Sequence, residues 1–145
     1  MRHLTYERIT SENDPGIPFL MQMYQQPEIA QYLSVGDQYF HYVANTADVY
    51  FYKVLQQHRL VGTLHLEKQG NLLSLAILIF PECQRKGLGT SILRDVQDDF
   101  FGLSCDRIEI AVDESNAASL KLFERAGFTF VSKEDELLYL AYTRQ

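Results

Sequence analysis

The fold can be predicted outward from one segment, Leu75-Ala-Ile-Leu-Ile-Phe-Pro-Glu-Cys-Gln-Arg-Lys-Gly-Leu-Gly-Thr90. It begins as an apolar strand, passes through a loop with two glycines, and leads directly into an amphipathic helix that begins at Leu88. The N-terminus of a helix presents backbone amides that bind phosphate oxygens. Gly87 and Gly89 let the backbone curl round an anion, because they have no Cβ atoms. The stretch therefore predicts an anion-binding loop.

Polar side chains strengthen this prediction. Arg85 and Lys86 add positive charge at the mouth of the loop, and the Thr90 hydroxyl can donate a further hydrogen bond. Two well-known phosphate loops do not fit, because the chain lacks GxxxxGK[ST], and Gly87-Leu-Gly89 does not continue into GxGxxG. The remaining pattern is Q-x-x-G-x-G. Taken alone, two adjacent basic residues are more often solvated charges at the start of a helix.

Outward from the loop, the hydrophobic periodicity predicts one continuous α/β domain over residues 1–145. The strand over 72–80 is apolar on both faces, so we expect both faces to be buried. The helix that begins at Leu88 carries an apolar stripe through Phe100 and Phe101. The predicted strands are 3–9, 49–55, 60–66, 72–80, 107–112, 128–132 and 137–142, and the predicted helices are 18–24, 27–33, 38–45, 88–101 and 116–126.

The composition excludes several classes of protein. The 145 residues are 46% hydrophobic and 22% charged, as in ordinary globular domains. The net charge of −6 argues against general binding of nucleic acid and mildly favours cationic substrates. No apolar run is long enough to cross a membrane and the N-terminus has no signal-like apolar segment, so we expect a cytoplasmic protein. Cys83 and Cys105 are expected to be unpaired thiols, and no His/Cys spacing indicates a metal site.

A second segment makes the loop more informative. Glu114-Ser-Asn-Ala-Ala-Ser-Leu-Lys-Leu-Phe-Glu-Arg-Ala-Gly-Phe128 matches N-x-x-[AS]-x-x-L-[YF]-x-x-x-G-F. Together with Q-x-x-G-x-G after a strand, it resembles the GNAT superfamily of acetyl-CoA-dependent N-acetyltransferases. The resemblance implies a mixed, largely antiparallel sheet of six or seven strands flanked by about four helices. The specific motifs lie between residues 72 and 128, and the first 70 residues match in element order alone.

The resemblance implies a role for each matching residue. In GNAT enzymes the pantetheine arm of the cofactor lies between the fourth and fifth strands, where Ile77, Leu78 and Ile79 would offer backbone groups. Asn116 would contact the cofactor near its sulfur, and Phe123 would line the thioester pocket. The amides that would hold the pyrophosphate belong to Arg85, Lys86, Gly87, Leu88, Gly89 and Thr90. Without the resemblance, Asn116 is a helix N-cap and Phe123 a core residue.

The catalytic acid and base of the family do not carry over. Many GNAT enzymes have a Tyr acid at the position of Phe123, which has no proton to give. The base positions of two branches are occupied by Ala111 and Leu73. Glu109 shares a strand face with Ala111, so it is the first candidate for the base. The alternative is that Glu109 only forms an ion pair with a neighbouring cation. Further candidates for the base or the acceptor pocket are His65, Glu67, Tyr50, Tyr52 and Tyr139.

The expected function is transfer of acetyl from acetyl-CoA to a primary amine by direct attack in a ternary complex. The acceptor stays open between a small molecule and a protein N-terminus or lysine. The missing acid and base also leave room for a second class, a catalytically weak acyl-CoA-binding regulatory or interaction module. The expected partners are acetyl-CoA and an amine, with no nucleic acid and no membrane, and monomer and homodimer both stay open.

Overall fold

The computed structural model describes residues 4–33 and 35–144. Its described residues form two compact units. The first contains residues up to Leu66 together with Ile77–Lys86, and the second contains Glu67–Ala76 together with the residues from Gly87 onward. The single domain over 1–145 stays a prediction.

The element order agrees with the sequence prediction. Seven strands form one mostly antiparallel sheet in the order β1-β2-β3-β4-β5-β7-β6, with β4 and β5 as a parallel pair. The described residues contain five α-helices, as the periodicity predicts, whereas the family resemblance implies about four. The strands are β1 Leu4–Arg8, β2 Val49–Gln56, β3 Arg59–Gln69, β4 Leu72–Ile79, β5 Arg107–Asp113, β6 Thr129–Glu134 and β7 Leu137–Thr143; the helices are α1 Ile17–Tyr24, α2 Pro27–Ala30, α3 Tyr39–Asn45, α4 Leu88–Gln97 and α5 Ala117–Arg125.

The helix predicted to reach Phe101 ends four residues earlier. Its stripe is buried up to Val96, but Phe100 is 63% exposed. Asp99 has a left-handed backbone with φ of 57°, and its carboxylate accepts hydrogen bonds from the amides of Leu103 and Ser104. Such local side-chain-to-backbone bonds compete with helix continuation. The prediction therefore failed where an Asp offered the chain an alternative turn.

The fourth strand is not buried on both faces, which corrects the expectation for 72–80. Leu73 and Leu75 are buried, whereas Ser74 and Ala76 between and after them are exposed. The alternation then changes phase, since the next buried residue is Leu78. This alternation cannot be recognised in a run of aliphatic residues, because the sequence distinguishes the two faces of a strand only where the outward-facing residues are polar.

Other boundaries shift by a few residues. The predicted first strand starts at His3, which lies outside the described residues. The second predicted helix reaches only Ala30 instead of Leu33, and β3 extends to Gln69. Among the residues that the structure describes, no helix is long and apolar enough to span a membrane.

Candidate active site

The loop after β4 is built by short-range hydrogen bonds. A single 3-10 turn over Pro81–Cys83 follows the strand, and the side-chain amide of Gln84 donates to the carbonyl of Ile79 at 3.1 Å. Arg85 then has φ of 65° and Gly87 has φ of 75°. Left-handed residues within a turn direct successive N–H groups toward one side, which produces an anion-binding concavity. Gln84, the first residue of the Q-x-x-G-x-G pattern, thus fixes the entry into the loop.

Helix α4 begins directly after this loop with its first amides unused by the helix. Gly87 is the N-cap and provides no side-chain cap. The first backbone bond of the helix runs from the amide of Ser91 to the carbonyl of Gly87 at 3.1 Å. The amides of Leu88, Gly89 and Thr90 therefore precede the helical hydrogen bonds, and amides in this position can bind an anion.

The charge around this N-terminus suits a phosphate. Arg85 and Lys86 are exposed beside the loop, and the first turn of α4 contains no acidic residue. The Thr90 side chain is also exposed. Leu88 differs from its neighbours, because its side chain is buried and only its backbone amide can serve a ligand.

The two glycines of the loop have different jobs. Gly87 needs its left-handed conformation, as the sequence predicts. Gly89 is already helical, and a Cβ atom there would lie 3.0 Å from Leu122 Cδ2. Its missing side chain therefore lets the start of α4 pack against α5. The expectation that both glycines free the backbone holds for Gly87 alone.

Helix α5 positions the two residues of the second motif. The Asn116 side chain accepts a hydrogen bond from the amide of Ser119 at 3.3 Å, so Asn116 is the N-cap. The cap uses Oδ1, which leaves Nδ2 as the atom that could donate to a ligand. Phe123 is buried, and its ring meets that of Phe128 edge-on at 5.3 Å. Both residues thus fulfil the structural roles that their positions alone indicate.

The strand β5 carries the first candidate for the base. The side chain of Glu109 is one-third exposed, and its Oε2 accepts a hydrogen bond from Arg107 Nε at 2.7 Å. On the same face, Ala111 is exposed and pairs with Tyr139 of β7. Glu109 therefore has the cationic partner that its alternative interpretation, a surface ion pair, requires. An ion pair of this kind does not remove the carboxylate from the candidates, because its other oxygen can still meet a substrate.

The segment of β4 expected to serve the cofactor is only partly buried. Ile77 and Ile79 are half-buried, whereas Leu78 is buried. The neighbouring strand approaches Leu78 closely, since a Cβ atom on Gly62 would lie 2.1 Å from its carbonyl oxygen. Gly62 is thus required for the pairing of β3 with this segment. Leu73, at the other base position of the family, is fully buried and apolar.

Sequence analysis missed an aromatic cluster in the first unit. Tyr39 binds Nδ1 of His65 through its hydroxyl, and the Tyr24 hydroxyl meets the buried Thr63 hydroxyl at 2.9 Å. Burial raises the pKa of Tyr24 to about 12, and the hydrogen bond to Thr63 partly offsets this rise. No spacing rule links residues that lie 26 or 39 positions apart, so only the fold reveals these pairs.

The remaining tyrosine candidates lie in β2. Tyr50 faces the guanidinium of Arg8, which sits 4.4 Å from the ring centroid. Tyr52 meets Tyr6 edge-on at 6.2 Å, and partial burial raises its pKa. Glu67 is half-buried near the end of β3. The contacts of Tyr50 and Tyr52 are those of packed residues.

The model of the Acetyltransferase (GNAT) family matches residues 17–128. The chain belongs to this family. Family membership confirms the expected class of enzyme, an acetyl-CoA-dependent N-acetyltransferase, and acetyl-CoA as its co-substrate. No curated protein sequence matches the chain significantly.

Solved structures confirm the GNAT fold. The N-acetyltransferase PseH of Campylobacter jejuni in complex with acetyl coenzyme A has a TM-score of 0.77 and 14% identity, and the match covers 99% of this chain and 100% of that one. The spermidine N-acetyltransferase of Vibrio cholerae, in complex with CoA and spermine, has a TM-score of 0.81 and 15% identity over 97% and 95% of the two chains. The aminoglycoside acetyltransferase AAC(6')-Ib with coenzyme A and kanamycin has a TM-score of 0.79 and 19% identity over 98% and 95%. At these identities the likeness concerns the fold.

Proposed function

We propose that this GNAT enzyme transfers the acetyl group of acetyl-CoA to a primary amine by direct attack within a ternary complex. The observation that carries the proposal is the left-handed turn at Arg85 and Gly87, followed at once by the uncapped N-terminus of α4. This arrangement suits the pyrophosphate of coenzyme A, because it combines unused amides, a helix dipole and two exposed cations. The two cations are Arg85 and Lys86.

The other cofactor contacts are assigned by the motif positions. The backbone of Ile77, Leu78 and Ile79 would bind the pantetheine arm and the acetyl carbonyl. An amide donor aimed at that carbonyl would stabilise the oxyanion that develops during attack, commonly the largest catalytic contribution. Asn116 would donate through Nδ2 near the sulfur. Phe123 would border the thioester.

The departing thiolate would leave without a tyrosine acid, because Phe123 carries no hydroxyl. A thiolate is a fairly good leaving group, so this loss lowers the rate without preventing the reaction. Removal of a proton from the ammonium is harder to avoid, since only the neutral amine attacks. Glu109 stays the predicted base for this step. The competing interpretation is that Glu109 only pairs with Arg107.

The acceptor is a primary amine of a small molecule or of a protein. The net charge of −6 favours a cationic acceptor. Spermine and kanamycin are the amines present in two of the similar structures, so a polyamine and an aminoglycoside come first in a panel of acceptors. Free amino acids extend the small-molecule part of the panel, and peptides test a protein N-terminus or lysine as the acceptor. A cytoplasmic location and a homodimer stay part of this proposal.

The direct test is a thiol-release screen with acetyl-CoA and this panel. Transfer predicts free thiol with at least one amine, together with a mass gain of one acetyl group on that amine. A binding module would instead show a higher melting temperature with acetyl-CoA and no release of thiol above hydrolysis. Pantetheine, which lacks the pyrophosphate, is the matched control ligand and should raise the melting temperature far less than coenzyme A.

A further inference from the structure

One face of the sheet is accessible in the second unit. The residues of β5 that are buried are Ile108, Ile110 and Val112. The alternate residues of β5 project to the other side, where Ala111 is exposed, as is Ser74 of β4 beside Glu109. We call this side of β5, with the paired residues of β7, the open face. A small molecule can reach it at Ala111 directly.

Tyr139 of β7 lies on the open face. It pairs with Ala111, and directly opposite residues of an antiparallel pair project to the same side with Cβ atoms about 5 Å apart. Tyr139 is half-buried, so the residue is partly accessible. The single methyl group of Ala111 fills little of the space beside the tyrosine ring. The pair therefore produces a gap that an aromatic ring borders.

The carboxylate of Glu109 borders the same gap. Glu109 pairs with Ala141, whose small side chain is buried, and is therefore diagonal to Tyr139. Diagonal neighbours lie about 7–8 Å apart, a separation that long side chains bridge. The Oε2 atom accepts the hydrogen bond from Arg107, which lies further from Ala111 along β5. The other carboxylate oxygen, Oε1, can accept from a group in the gap.

The charge of β5 on the open face is negative on balance. Arg107, Glu109 and Asp113 project there, one cation against two carboxylates. Hydrogen bonds from the hydroxyl and the amide of Ser115 hold the pKa of the Asp113 carboxyl below its usual value, so this group is charged at neutral pH. Carboxylates along the strand and an aromatic ring opposite Ala111 together suit an ammonium group.

We propose that the ammonium group of the acceptor binds in this gap, against the ring of Tyr139 and beside the carboxylate of Glu109. The inference rests on the proposed function and names its acceptor class: cationic alkylamines, and not arylamines, which are uncharged at neutral pH. Tyr139 determines this specificity, and Glu109 keeps its predicted role as the base. The ring stabilises the charged form of the nitrogen, so it contributes to acceptor binding and not to removal of the proton.

Tyr142, the other tyrosine of the second unit, is placed differently. It pairs with the buried Ile108, so it projects to the opposite side of the sheet. Its ring packs on that of Phe128 at 5.5 Å. The strand alternation thus gives one tyrosine of β7 to the core and the other to the open face.

The test compares Tyr139→Leu with Tyr139→Phe, using the fastest amine of the thiol-release panel. Leucine keeps an apolar side chain but has no aromatic face, so KM for the amine should rise about 3- to 30-fold. Phenylalanine keeps the ring, so KM should stay within about twofold. Turnover at saturating amine and the melting shift with acetyl-CoA should change little in both variants. Tyr139→Ile serves if Tyr139→Leu does not fold.

A quaternary ammonium probe tests the role of charge directly. Choline has no N–H to lose, so it should inhibit competitively against the amine without being acetylated on nitrogen. Its neutral isostere, in which a tert-butyl group replaces the trimethylammonium group, should inhibit about tenfold more weakly. Tyr139→Leu should weaken inhibition by choline by the same factor that raises KM.

Phe130→Leu is the matched control. Phe130 is 61% exposed and pairs with the buried Leu140, so it projects away from the open face and its loss should leave KM unchanged. Unchanged KM in folded Tyr139→Leu, or equal inhibition by choline and its isostere, would overturn the proposal. An equal rise in KM for Tyr139→Phe would also overturn it, since the hydroxyl and not the ring would then bind the acceptor. No thiol release by the unmodified enzyme with any amine would instead overturn the proposed function.

Discussion

The loop from Gln84 to Thr90 and the aromatic cluster around Tyr39 are determined by the sequence in different ways. The loop depends on backbone conformation: φ is 65° at Arg85 and 75° at Gly87, and a helix follows at once. The cluster depends on side-chain packing between helices and strands distant along the chain. Backbone requirements restrict residue type and leave a motif, whereas packing accepts many combinations of similar volume. This explains why the loop that we propose for the cofactor can be recognised in the sequence and the aromatic cluster cannot.

Gly87→Val should have the largest effect on the loop. A β-branched residue at φ of 75° is strongly disfavoured, so the turn before α4 must change and its amides must lose their common direction. Acetyl-CoA affinity should fall at least 100-fold, or about 2.7 kcal/mol, measured by calorimetry or by the melting shift.

The control for this change is Gly102→Val, because Gly102 has φ of 69° and a Cβ atom there would meet no atom within 4 Å beyond its chain neighbours. It imposes a similar backbone cost away from the loop and should destabilise the protein without loss of acetyl-CoA affinity. Equal affinity losses in both variants would mean that general destabilisation, and not the loop, determines binding.

Tyr24→Phe addresses the aromatic cluster. It removes the hydroxyl that lies 2.9 Å from the buried Thr63 hydroxyl, and the free energy of unfolding at pH 7 should drop by about 1–3 kcal/mol. Acetyl-CoA affinity should stay the same. Tyr24→Phe combined with Thr63→Val should recover part of the loss, since neither polar group is then buried alone.

The same variant carries a pH prediction. Burial raises the pKa of Tyr24 to about 12 in the folded state, against about 10 for an unfolded tyrosine. The unfolded chain therefore loses this proton first, and the stabilisation by Tyr24 is complete below about pH 10 and lost as the pH rises toward about 12. Urea unfolding at about pH 9 and about pH 11 should show a smaller loss of stability for Tyr24→Phe than for the unmodified protein. An equal loss would contradict the assignment to Tyr24.

The sequence predicted the order of elements, the seven strands and the N-cap at Asn116, because alternation, turn residues and caps are local properties. It predicted the strand, the loop with Gly87 and the helix that follows for the same reason. It missed the end of α4 at Gln97, where Asp99 competes for the backbone amides of later residues. It could not reveal the contact between Tyr39 and His65, because these residues lie 26 positions apart along the chain.

Gly89→Ala should have a smaller effect than Gly87→Val, since Gly89 is helical. The new Cβ would lie 3.0 Å from Leu122 Cδ2, the flexible end of a side chain, whereas alanine favours the helix by up to about 1 kcal/mol. The two effects nearly cancel, so the free energy of unfolding should change by less than about 1 kcal/mol. In a Leu122→Ala background the same change should become stabilising in urea unfolding. A destabilisation that persists in this background would show that glycine is needed at position 89 for its backbone conformation and not only for the contact with Leu122.

Lys86→Ala should have the smallest effect. Lys86 is exposed, so water and salt screen its attraction to a pyrophosphate, and such charges contribute up to about 1 kcal/mol. Acetyl-CoA affinity should fall about two- to five-fold in low salt, and the difference from the unmodified protein should disappear at about 1 M salt, where the Debye length is about 3 Å. Arg59→Ala, which removes a cation at the turn between β2 and β3, should leave affinity unchanged at every salt concentration. If Lys86→Ala instead lost more than about tenfold affinity independently of salt, Lys86 would make a desolvated contact with the phosphates. The loop that we propose for the cofactor would then depend on a side chain as much as on backbone conformation.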